Sequence, residues 1–352
     1  MSVPPPDLAA LQREVAEFQR RAALGAAALA RLPPVTLGSC ERDLVQREDK
    51  VTLYRYRSRA KPAGLPPLLI VFALVNRPTV LDLQPDRSLI RGLLEAGVDV
   101  YLLDWGSPDR ADRALTLADY VLGYLHRALA RVAADHGAVD LLGVCQGGTL
   151  ALMYASLEPA RIRRLVTMVT PVDFHTPENL LAKWVRGIDV GRLVATFGNV
   201  PGELLNFTFL SLLPFRLTLQ KYLALVDGAD DPAALANFLR MEQWISDSPD
   251  QAGAAFREFV TALFQENRLV AGTLELAGRR VDLKAVAMPV LNVYATQDHL
   301  VPPSASRPLA RLVGSADYRE LAFDGGHIGI YVSSRARTLP ATIARWLAGS
   351  PS

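Results

Sequence analysis

The amino-acid sequence predicts an α/β fold: a mostly parallel β-sheet covered on both faces by helices, with an inserted, mainly helical cap. Continuous apolar, β-rich runs alternate with helical patterns, which is typical of a parallel sheet between two helical layers. This alternation stops at about residue 176 and resumes at about residue 283. One predicted strand also ends in a Gly-x-Cys-x-Gly turn. These observations predict an amino-terminal helical arm at 1–35, a core in two parts at 36–175 and 283–352, and a cap at 176–282.

The composition describes a globular protein and excludes some classes of function. Of the 352 residues 50% are apolar, and 38 Lys and Arg balance 36 Asp and Glu. Without a basic excess, nucleic-acid binding has no electrostatic support. The two cysteines, Cys40 and Cys145, argue against a disulfide framework and a cysteine-rich zinc site, and for a cytosolic protein. The first residues lack the pattern of a signal peptide, and the densest apolar run, 66–75, is too short for a transmembrane segment.

The amino-terminal arm is predicted to be one helix. Asp7 can cap it after the Pro4–Pro6 run, and Pro33 ends it after about Leu32. Apolar residues at alternating spacings of three and four form a narrow seam: Leu8, Leu11, Val15, Phe18 and Ala22. We interpret this seam as a face that packs on the protein's own domain. Docking against a helix of a partner is the alternative.

The core is predicted from alternating strands and helices. Strands are expected at 51–57 (antiparallel and half-exposed), 68–75, 98–103, 140–145, 164–169, 289–295 and 318–323. Helices are expected at 88–95, at 116–136, from just after Cys145 to 157, at 304–312 and at 335–347. The cap contains apolar clusters such as 204–210, separated by loops.

The Gly-x-Cys-x-Gly turn is the feature most informative about function. Gly143 and Gly147 flank Cys145 between a buried strand and a helix, where the chain has to turn sharply. This arrangement is the nucleophile elbow of an α/β-hydrolase fold, with cysteine where serine usually stands. The alternative is a buried structural cysteine beside a glycine-rich turn.

A cysteine nucleophile needs a general base, and the base needs an orienting carboxylate. In this fold the nucleophile is followed along the chain by the acid and then by histidine, each placed after a strand. Asp298 follows the strand predicted to end at Ala295, and His327 follows the strand predicted to end at Phe323. We therefore predict Cys145, Asp298 and His327 as the catalytic residues.

The other histidines fit this order less well. His126 and His136 lie on the helix before the elbow strand, and His175 lies at the start of the cap. Packing is the expected role of all three, although His175 is close enough to the cap entry to contact substrate. His299 is the serious rival for the role of base, but its place directly after the strand suits the acid better.

The oxyanion formed in acyl transfer needs hydrogen-bond donors. One donor in this fold is the backbone N–H of the residue after the nucleophile, here Gln146. The other comes from the loop after an earlier strand, where the N–H of Val75 or of Asn76 is the candidate. Arg77 in the same loop has either a structural role or a role in binding an anionic substrate group. We expect no metal ion and no cofactor at this site.

Cysteine in place of serine favours one kind of acyl transfer. A thiolate that attacks a thioester yields another thioester, so little free energy is lost in loading the acyl group. The loaded group can then pass to a hydroxyl and form an ester. The nucleophile therefore suits acyl transfer from a thioester better than simple hydrolysis, although cysteine hydrolases with this fold exist.

Six stretches of the chain resemble the polyhydroxyalkanoate synthases: 74–78, 101–106, 143–148, 201–206, 298–303 and 325–330. The resemblance covers nearly the whole chain and is weakest in the amino-terminal arm. With Gln146 after the cysteine, and without the long amino-terminal region of the single-subunit synthases, the chain is most similar to the class III catalytic subunit. That subunit works with a separate E subunit.

The resemblance implies a polymerase that joins (R)-3-hydroxyacyl groups from their coenzyme A thioesters, mainly 3-hydroxybutyryl-coenzyme A, and releases coenzyme A as a product. Cys145 would carry the growing chain, His327 would deprotonate its thiol, and Asp298 would assist deprotonation of the attacking hydroxyl. The resemblance also implies an E subunit as partner, a homodimer or higher assembly, and a cytoplasmic location at the surface of the polyester granule. The cap would gate the site, contribute to dimerisation and meet the granule.

Two other functions stay open from the sequence. One is a cysteine-dependent hydrolase on the same fold, a thioesterase or a dienelactone-hydrolase-like enzyme, which would give free hydroxy acid and no polymer. The other is a non-catalytic granule-coat or scaffold protein, which would bind granules through the cap. In that protein a thiol-reactive substrate analogue would fail to label Cys145.

Overall fold

An eight-stranded sheet forms the centre of the protein in a computed structural model that describes residues 7–61, 63–215 and 220–349. The Pro4–Pro6 run and the first residues, expected to lack a signal peptide, lie outside the described part of the chain. The strands are β1 (Arg42–Glu48), β2 (Val51–Tyr56), β3 (Leu68–Val71), β4 (Val100–Asp104), β5 (Val139–Val144), β6 (Ile162–Met168), β7 (Val290–Ala295) and β8 (Tyr318–Phe323).

The strands lie in the order β1-β2-β4-β3-β5-β6-β7-β8. Strand β2 pairs antiparallel with β1 and β4, whereas all other neighbours are parallel. The predicted mostly parallel sheet is therefore confirmed. Parallel neighbours need crossover connections, and the helices that supply them cover both faces.

The helices are α1 (Leu8–Arg31), α2 (Leu89–Glu95), α3 (His126–His136), α4 (Gln146–Leu157), α5 (Leu180–Val185), α6 (Val190–Phe197), α7 (Gly202–Ser211), α8 (Gln220–Asp227), α9 (Pro232–Ser246), α10 (Gly253–Phe259), α11 (Arg268–Ala271), α12 (Pro303–Ser306), α13 (Leu309–Leu312), α14 (Gly329–Val332) and α15 (Leu339–Leu347). Wider π-helical turns precede α3 at Asp119–Leu125 and follow α10 at Val260–Gln265. Two short two-stranded ribbons pair Asp82–Gln84 with Arg87–Ser88, and Glu275–Leu276 with Arg279–Arg280. No described helix is both long enough and apolar enough to cross a bilayer.

The apolar core lies on both faces of the sheet because successive side chains of a strand point to opposite faces. In β3, Leu69 and Val71 join the core on one face, whereas Leu68 and Ile70 join the core on the other. All four side chains are fully buried. This two-sided burial explains why the central strands are continuous apolar runs in the sequence.

The amino-terminal arm is the predicted helix, and Asp7 caps it by accepting hydrogen bonds from the backbone N–H groups of Ala9 and Ala10, both at 3.0 Å. Its carboxyl-terminal half contacts the cap near α8, where Arg21 and Asp227 form an ion pair at 3.8 Å. Four seam residues are between 45% and 66% exposed: Leu8, Leu11, Val15 and Phe18. The interpretation that this seam packs on its own domain is wrong for these four residues, because their side chains are exposed to solvent.

Some elements differ from those expected. Strand β1 was not predicted, because it is a charged edge strand with few buried side chains. Strand β2 is more buried than a half-exposed strand, since it lies between β1 and β4. The helix expected at 304–312 is two short helices, α12 and α13, and the last helix begins only after a 3₁₀ turn at Ser334–Thr338.

The cap is built from helices α5 to α11, all of which lie within the range 176–282. Strand β6 leads into it and β7 follows it, so the cap is an insertion between neighbouring strands of the sheet. Helices α7, α8 and α9 pack against one another above the carboxyl ends of the central strands. In α/β sheets ligands bind at this edge, and the cap therefore covers the expected site.

Candidate active site

Cys145 occupies a strained turn between β5 and α4. Its φ of 53° and ψ of −125° lie outside the regions that most residues prefer, at a cost of about 1–3 kcal/mol. The backbone N–H of Cys145 donates to the carbonyl of Met168 at 2.8 Å. A Cβ at Gly143 would overlap Gly148, and a Cβ at Gly148 would overlap Thr170, so α4 can approach the sheet only with glycine there. Close packing thus holds the cysteine at the end of β5.

His327 and Asp298 form a buried hydrogen-bonded pair. The Nδ1 atom of His327 lies 2.6 Å from Oδ2 of Asp298, and both residues are buried. The other carboxylate oxygen of Asp298 accepts the backbone N–H groups of Leu300 and Val301, each at 2.9 Å. These hydrogen bonds hold the carboxylate in a fixed orientation beside the imidazole.

Cys145 lines the same cavity as His327 and lies close enough to affect the protonation of the imidazole. Burial alone would lower the pKa of His327, but the charges of Asp298 and Cys145, with hydrogen bonds to both, raise it well above the ordinary histidine pKa of 6.5. An imidazole in this setting binds a proton firmly, as is required of a group that takes the thiol proton. The structure therefore brings together the three residues predicted as catalytic.

The loop after β3 lies beside the elbow, as expected for the second oxyanion donor. The side chain of Gln146 accepts the backbone N–H of Leu74 at 3.0 Å, which fixes this loop against α4. As the first residue of α4, Gln146 has a backbone N–H that no carbonyl within the helix can accept. Val75 and Asn76 line the same cavity as Cys145, and Asn76 has a left-handed φ of 60°. The choice between these two N–H groups stays open.

The cap anchors this loop from above. The indole N–H of Trp244 donates to the carbonyl of Arg77 at 2.7 Å, and Ser248 hydrogen-bonds the side chain of Asn76. The Arg77 guanidinium donates to Asp247 of the cap at 3.1 Å and to the carbonyl of Gly106 at 3.1 Å. These contacts assign Arg77 a structural role. No sequence pattern indicates a role for Trp244 or Ser248, because they lie far along the chain from the loop that they contact.

A single large cavity of about 790 Å³ connects the cap to the catalytic residues. Cys145, Gln146 and His327 lie at its floor. Its walls come largely from apolar side chains of the cap, among them Leu204, Phe209, Phe238, Met241, Trp244 and Ile245. A cavity with such walls suits a largely apolar ligand.

The remaining histidines have packing contacts or stand beside the site. His136 hydrogen-bonds the Tyr101 hydroxyl at 3.0 Å, and His126 hydrogen-bonds the Tyr154 hydroxyl at 3.2 Å. The imidazole of His175 lies 3.0 Å from a backbone carbonyl of the cap, at Phe264. His299 also lines the cavity, but the histidine paired with the buried carboxylate is His327.

Within 7–61, 63–215 and 220–349, no group of three or more His, Cys, Asp and Glu side chains is placed to hold a metal ion. The second cysteine, Cys40, is buried, and its thiol donates to the Asp82 carboxylate at 3.3 Å. Burial and that neighbouring carboxylate raise the pKa of the Cys40 thiol, which makes it a poor nucleophile.

Comparison with known proteins defines the class of the protein first. Residues 66–334 match the sequence profile of the alpha/beta hydrolase fold family, and the chain belongs to that family. Among solved structures, a soluble variant of the monoglyceride lipase of Saccharomyces cerevisiae superposes with a TM-score of 0.55 and 14% identity, over 91% of this chain and 98% of the lipase. An esterase of Thermogutta terrifontis superposes with a TM-score of 0.51 and 17% identity, over 88% of this chain and 98% of the esterase.

Closer relatives define the particular family. The poly(3-hydroxyalkanoate) polymerase subunit PhaC of Allochromatium vinosum is 54% identical over 342 residues, which are 96% of each chain. The corresponding subunit of Synechocystis is 46% identical over 89% of this chain and 85% of its own. The chain therefore belongs to the PhaC family of poly(3-hydroxyalkanoate) polymerase subunits, as its sequence motifs predicted.

Proposed function

We propose that the protein is the catalytic subunit of a polyhydroxyalkanoate synthase. It polymerises (R)-3-hydroxyacyl groups, mainly 3-hydroxybutyryl, from coenzyme A thioesters and releases coenzyme A. The observation that carries the proposal is the 54% identity, over 96% of both chains, to a poly(3-hydroxyalkanoate) polymerase subunit. A cysteine at the elbow, under an apolar cavity, is the chemistry that such a transfer requires.

The first half-reaction loads the acyl group onto Cys145. His327 takes the thiol proton while the sulfur attacks the thioester carbonyl carbon, and Asp298 stabilises the imidazolium that forms. The negative oxygen is bound by the N–H of Gln146 and by that of Val75 or Asn76. When the tetrahedral intermediate collapses, the carbon–sulfur bond to coenzyme A breaks and the leaving thiolate takes the proton from His327.

The second half-reaction forms the ester. His327 removes the proton from a 3-hydroxyl group, whose oxygen attacks the acyl carbon held on Cys145. Because Asp298 hydrogen-bonds His327, it assists this deprotonation through the imidazole. Collapse breaks the bond to Cys145, and the thiolate takes the proton back. No metal and no redox cofactor takes part in these steps.

The test is release of coenzyme A from 3-hydroxybutyryl-coenzyme A, with and without an E subunit, together with analysis of the acyl product. We expect polymer from the wild-type protein, and neither polymer nor coenzyme A from Cys145→Ala. Cys40→Ala is the matched control, since Cys40 is the other cysteine and contacts Asp82 instead of the cavity. Full activity of Cys145→Ala would exclude the elbow mechanism.

The same experiment separates the alternatives. A thioesterase or dienelactone-hydrolase-like enzyme would release coenzyme A and free hydroxy acid without polymer. A granule-coat or scaffold protein would release none, and Cys145 would resist labelling by a thiol-reactive substrate analogue. The largely apolar cavity above Cys145 favours retention of an acyl chain over access of water.

The exposed seam of α1 supports docking of an E subunit. Leu8, Leu11, Val15 and Phe18 present a continuous apolar stripe to solvent. A stripe of this width fits one helix of a partner. We assign it to the E subunit, as the family resemblance implies.

The docking surface can be tested by co-purification with an E subunit. Leu11→Gln combined with Phe18→Gln should weaken association by about tenfold or more, since each buried side chain contributes about 1.5–3 kcal/mol. Arg13→Gln, on the opposite face of α1, is the matched control. Undiminished association of the double variant, or of a chain deleted up to Pro33, would reject the assignment.

The outer surface of the cap supports a location at the polyester granule in the cytoplasm and an assembly of two or more copies. Large apolar side chains of the cap face solvent: Trp184, Ile188, Phe197, Phe207, Phe215 and Tyr222. Exposed apolar side chains in this number are typical of a surface that binds another molecule. The cap then meets the polymer, or a second copy, with the same surface.

A further inference from the structure

The hydroxyl group of Tyr331 is buried at the active site without a hydrogen bond. Tyr331 belongs to α14, four residues after His327, and it is 3% exposed. Its side-chain oxygen has no hydrogen-bond partner among the residues that the structure describes. A buried hydroxyl without a partner costs about 1–3 kcal/mol. A group with this cost beside a reaction centre is a candidate for binding substrate.

The tyrosine also lies among the reacting groups. Its ring meets the His327 imidazole edge to face, with ring centroids 6.4 Å apart and an interplanar angle of 90°. It lines the cavity together with Cys145. Burial, followed by the charges of Cys145 and Asp298, raises the pKa of Tyr331 well above its ordinary value, so the hydroxyl keeps its proton and can donate it.

Two polar side chains that line the cavity with Cys145 already have hydrogen-bond partners. The Gln146 side chain accepts the Leu74 N–H, and the Asn76 side chain is hydrogen-bonded to Ser248. The carbonyl oxygen of a bound acyl group is provided for by backbone N–H groups. A 3-hydroxyacyl group has one further oxygen, bonded to C3 and three bonds from the carbonyl carbon.

We propose that the Tyr331 hydroxyl binds the C3 oxygen of the acyl group on Cys145, and so selects 3-hydroxyacyl thioesters over plain acyl thioesters. The inference rests on the proposed function and names a substrate determinant of the same site. In the loaded enzyme this oxygen is a hydroxyl on a single unit and an ester oxygen within a chain. Either accepts a hydrogen bond from the tyrosine.

The test compares two thioesters in single-turnover acylation. The burst of coenzyme A is measured with 3-hydroxybutyryl-coenzyme A and with butyryl-coenzyme A, for the wild-type protein and for Tyr331→Phe. We expect the wild-type protein to prefer the hydroxyacyl thioester and the variant to lose about three- to tenfold of that preference. The loss should come from slower acylation by the hydroxyacyl thioester, with little change for butyryl-coenzyme A.

Folding stability is the second measurement. Tyr331→Phe removes an unpartnered hydroxyl and keeps the ring, so its free energy of unfolding should equal or exceed that of the wild-type protein. Tyr154→Phe is the matched control, because Tyr154 is also a buried tyrosine but its hydroxyl bonds His126. That control should leave the preference between the two thioesters unchanged.

The outcomes separate the inference from the proposed function. An unchanged preference in Tyr331→Phe, or an equal slowing with both thioesters, overturns the role of the tyrosine while coenzyme A release still supports acyl transfer. No burst with either thioester in the wild-type protein, alone or with an E subunit, overturns the proposed function and the inference with it. A reduced preference with preserved stability supports both.

Discussion

The backbone of Cys145 depends on the absence of side chains at its glycine neighbours. Gly148 lies against Thr170, and a methyl group there would overlap the threonine side chain. The strained φ of 53° is held in place by this packing. A substitution at Gly148, which has no reactive side chain, can therefore displace Cys145.

We expect Gly148→Ala to destabilise the fold by about 1–3 kcal/mol, because α4 has to move away from Thr170. Coenzyme A release should fall more than stability alone explains, since the elbow moves with α4. Gly187→Ala is the control, because a Cβ there meets its first neighbour only at 3.9 Å. Chemical denaturation and the coenzyme A assay measure both effects; equal behaviour of the two variants would contradict the packing argument.

Protonation of His327 affects the stability of the folded protein. The pKa of His327 is raised in the folded state, so binding of this proton stabilises the folded protein. The stabilisation is complete below the unfolded pKa of about 6.5 and is lost as the pH rises through the pKa of the folded protein. We expect the wild-type protein to exceed His327→Gln in free energy of unfolding at pH 6, with a smaller difference at about pH 9. Denaturant titration at both pH values tests the sign. A difference that grows with pH would contradict it.

At the residue scale the sequence predicted the catalytic candidates because their positions follow from chain order. Cys145, Asp298 and His327 each follow a strand, and parallel strands bring their carboxyl ends to one edge of the sheet. Tyr331 was not predicted. Its only sequence signal is an aromatic residue four positions after a histidine, a spacing that ordinary core packing also produces.

At the scale of elements, hydrogen bonds join the cap to the loop after β3. Helix α9 and the loop after it hold the segment after β3 through Trp244, Asp247 and Ser248. Displacing the cap would therefore also displace the donors of Val75 and Asn76. On the proposed function, these contacts couple access to the cavity to stabilisation of the oxyanion.

Replacing Trp244 with phenylalanine tests this coupling. The variant loses the 2.7 Å hydrogen bond to the carbonyl of Arg77, worth about 0.5–1.5 kcal/mol, while most of the ring packing remains. We expect kcat to fall by up to about tenfold with a smaller change in KM, because the donors act mainly in the transition state. Trp184→Phe, on the exposed side of the cap, is the control. A change confined to KM would contradict the coupling.

The elements that the sequence failed to predict share a physical cause. Strand β1 is an exposed edge strand, so burial does not impose an apolar pattern on it. The exposure of the α1 seam was also not predicted, because an apolar stripe has the same spacing whether it packs on its own domain or against another chain. Continuous apolar runs, in contrast, identified the central strands, because those strands are buried on both faces.

At the scale of the whole molecule, apolar surface is concentrated on the cap. Phe207 is 70% exposed on α7, and its helix neighbours Asn206 and Thr208 line the cavity. The same helix therefore contributes to the reaction chamber on one side and to the outer surface on the other. On the proposed function, the surface that meets the polymer thus lies close to the site at which the chain is made.

We expect Phe207→Ser to weaken binding to polyester particles by about tenfold, because a buried phenylalanine contributes about 1.5–3 kcal/mol. Sedimentation with particles of poly(3-hydroxybutyrate) measures the effect. Leu44→Ser is the control, since Leu44 is also an exposed apolar residue but lies on β1, outside the cap. Equal losses in the two variants would argue against the cap as the contact surface.

The volume of the cavity also limits how much of the product can stay inside it. A 3-hydroxybutyryl unit occupies on the order of 100 Å³ at the packing density of protein interiors, so the cavity of about 790 Å³ has room for several units. On the proposed function, an oligomer up to this size remains enclosed, and each further unit has to push the free end out through the cap. After several turnovers the enzyme is then tethered to the polymer by its own product.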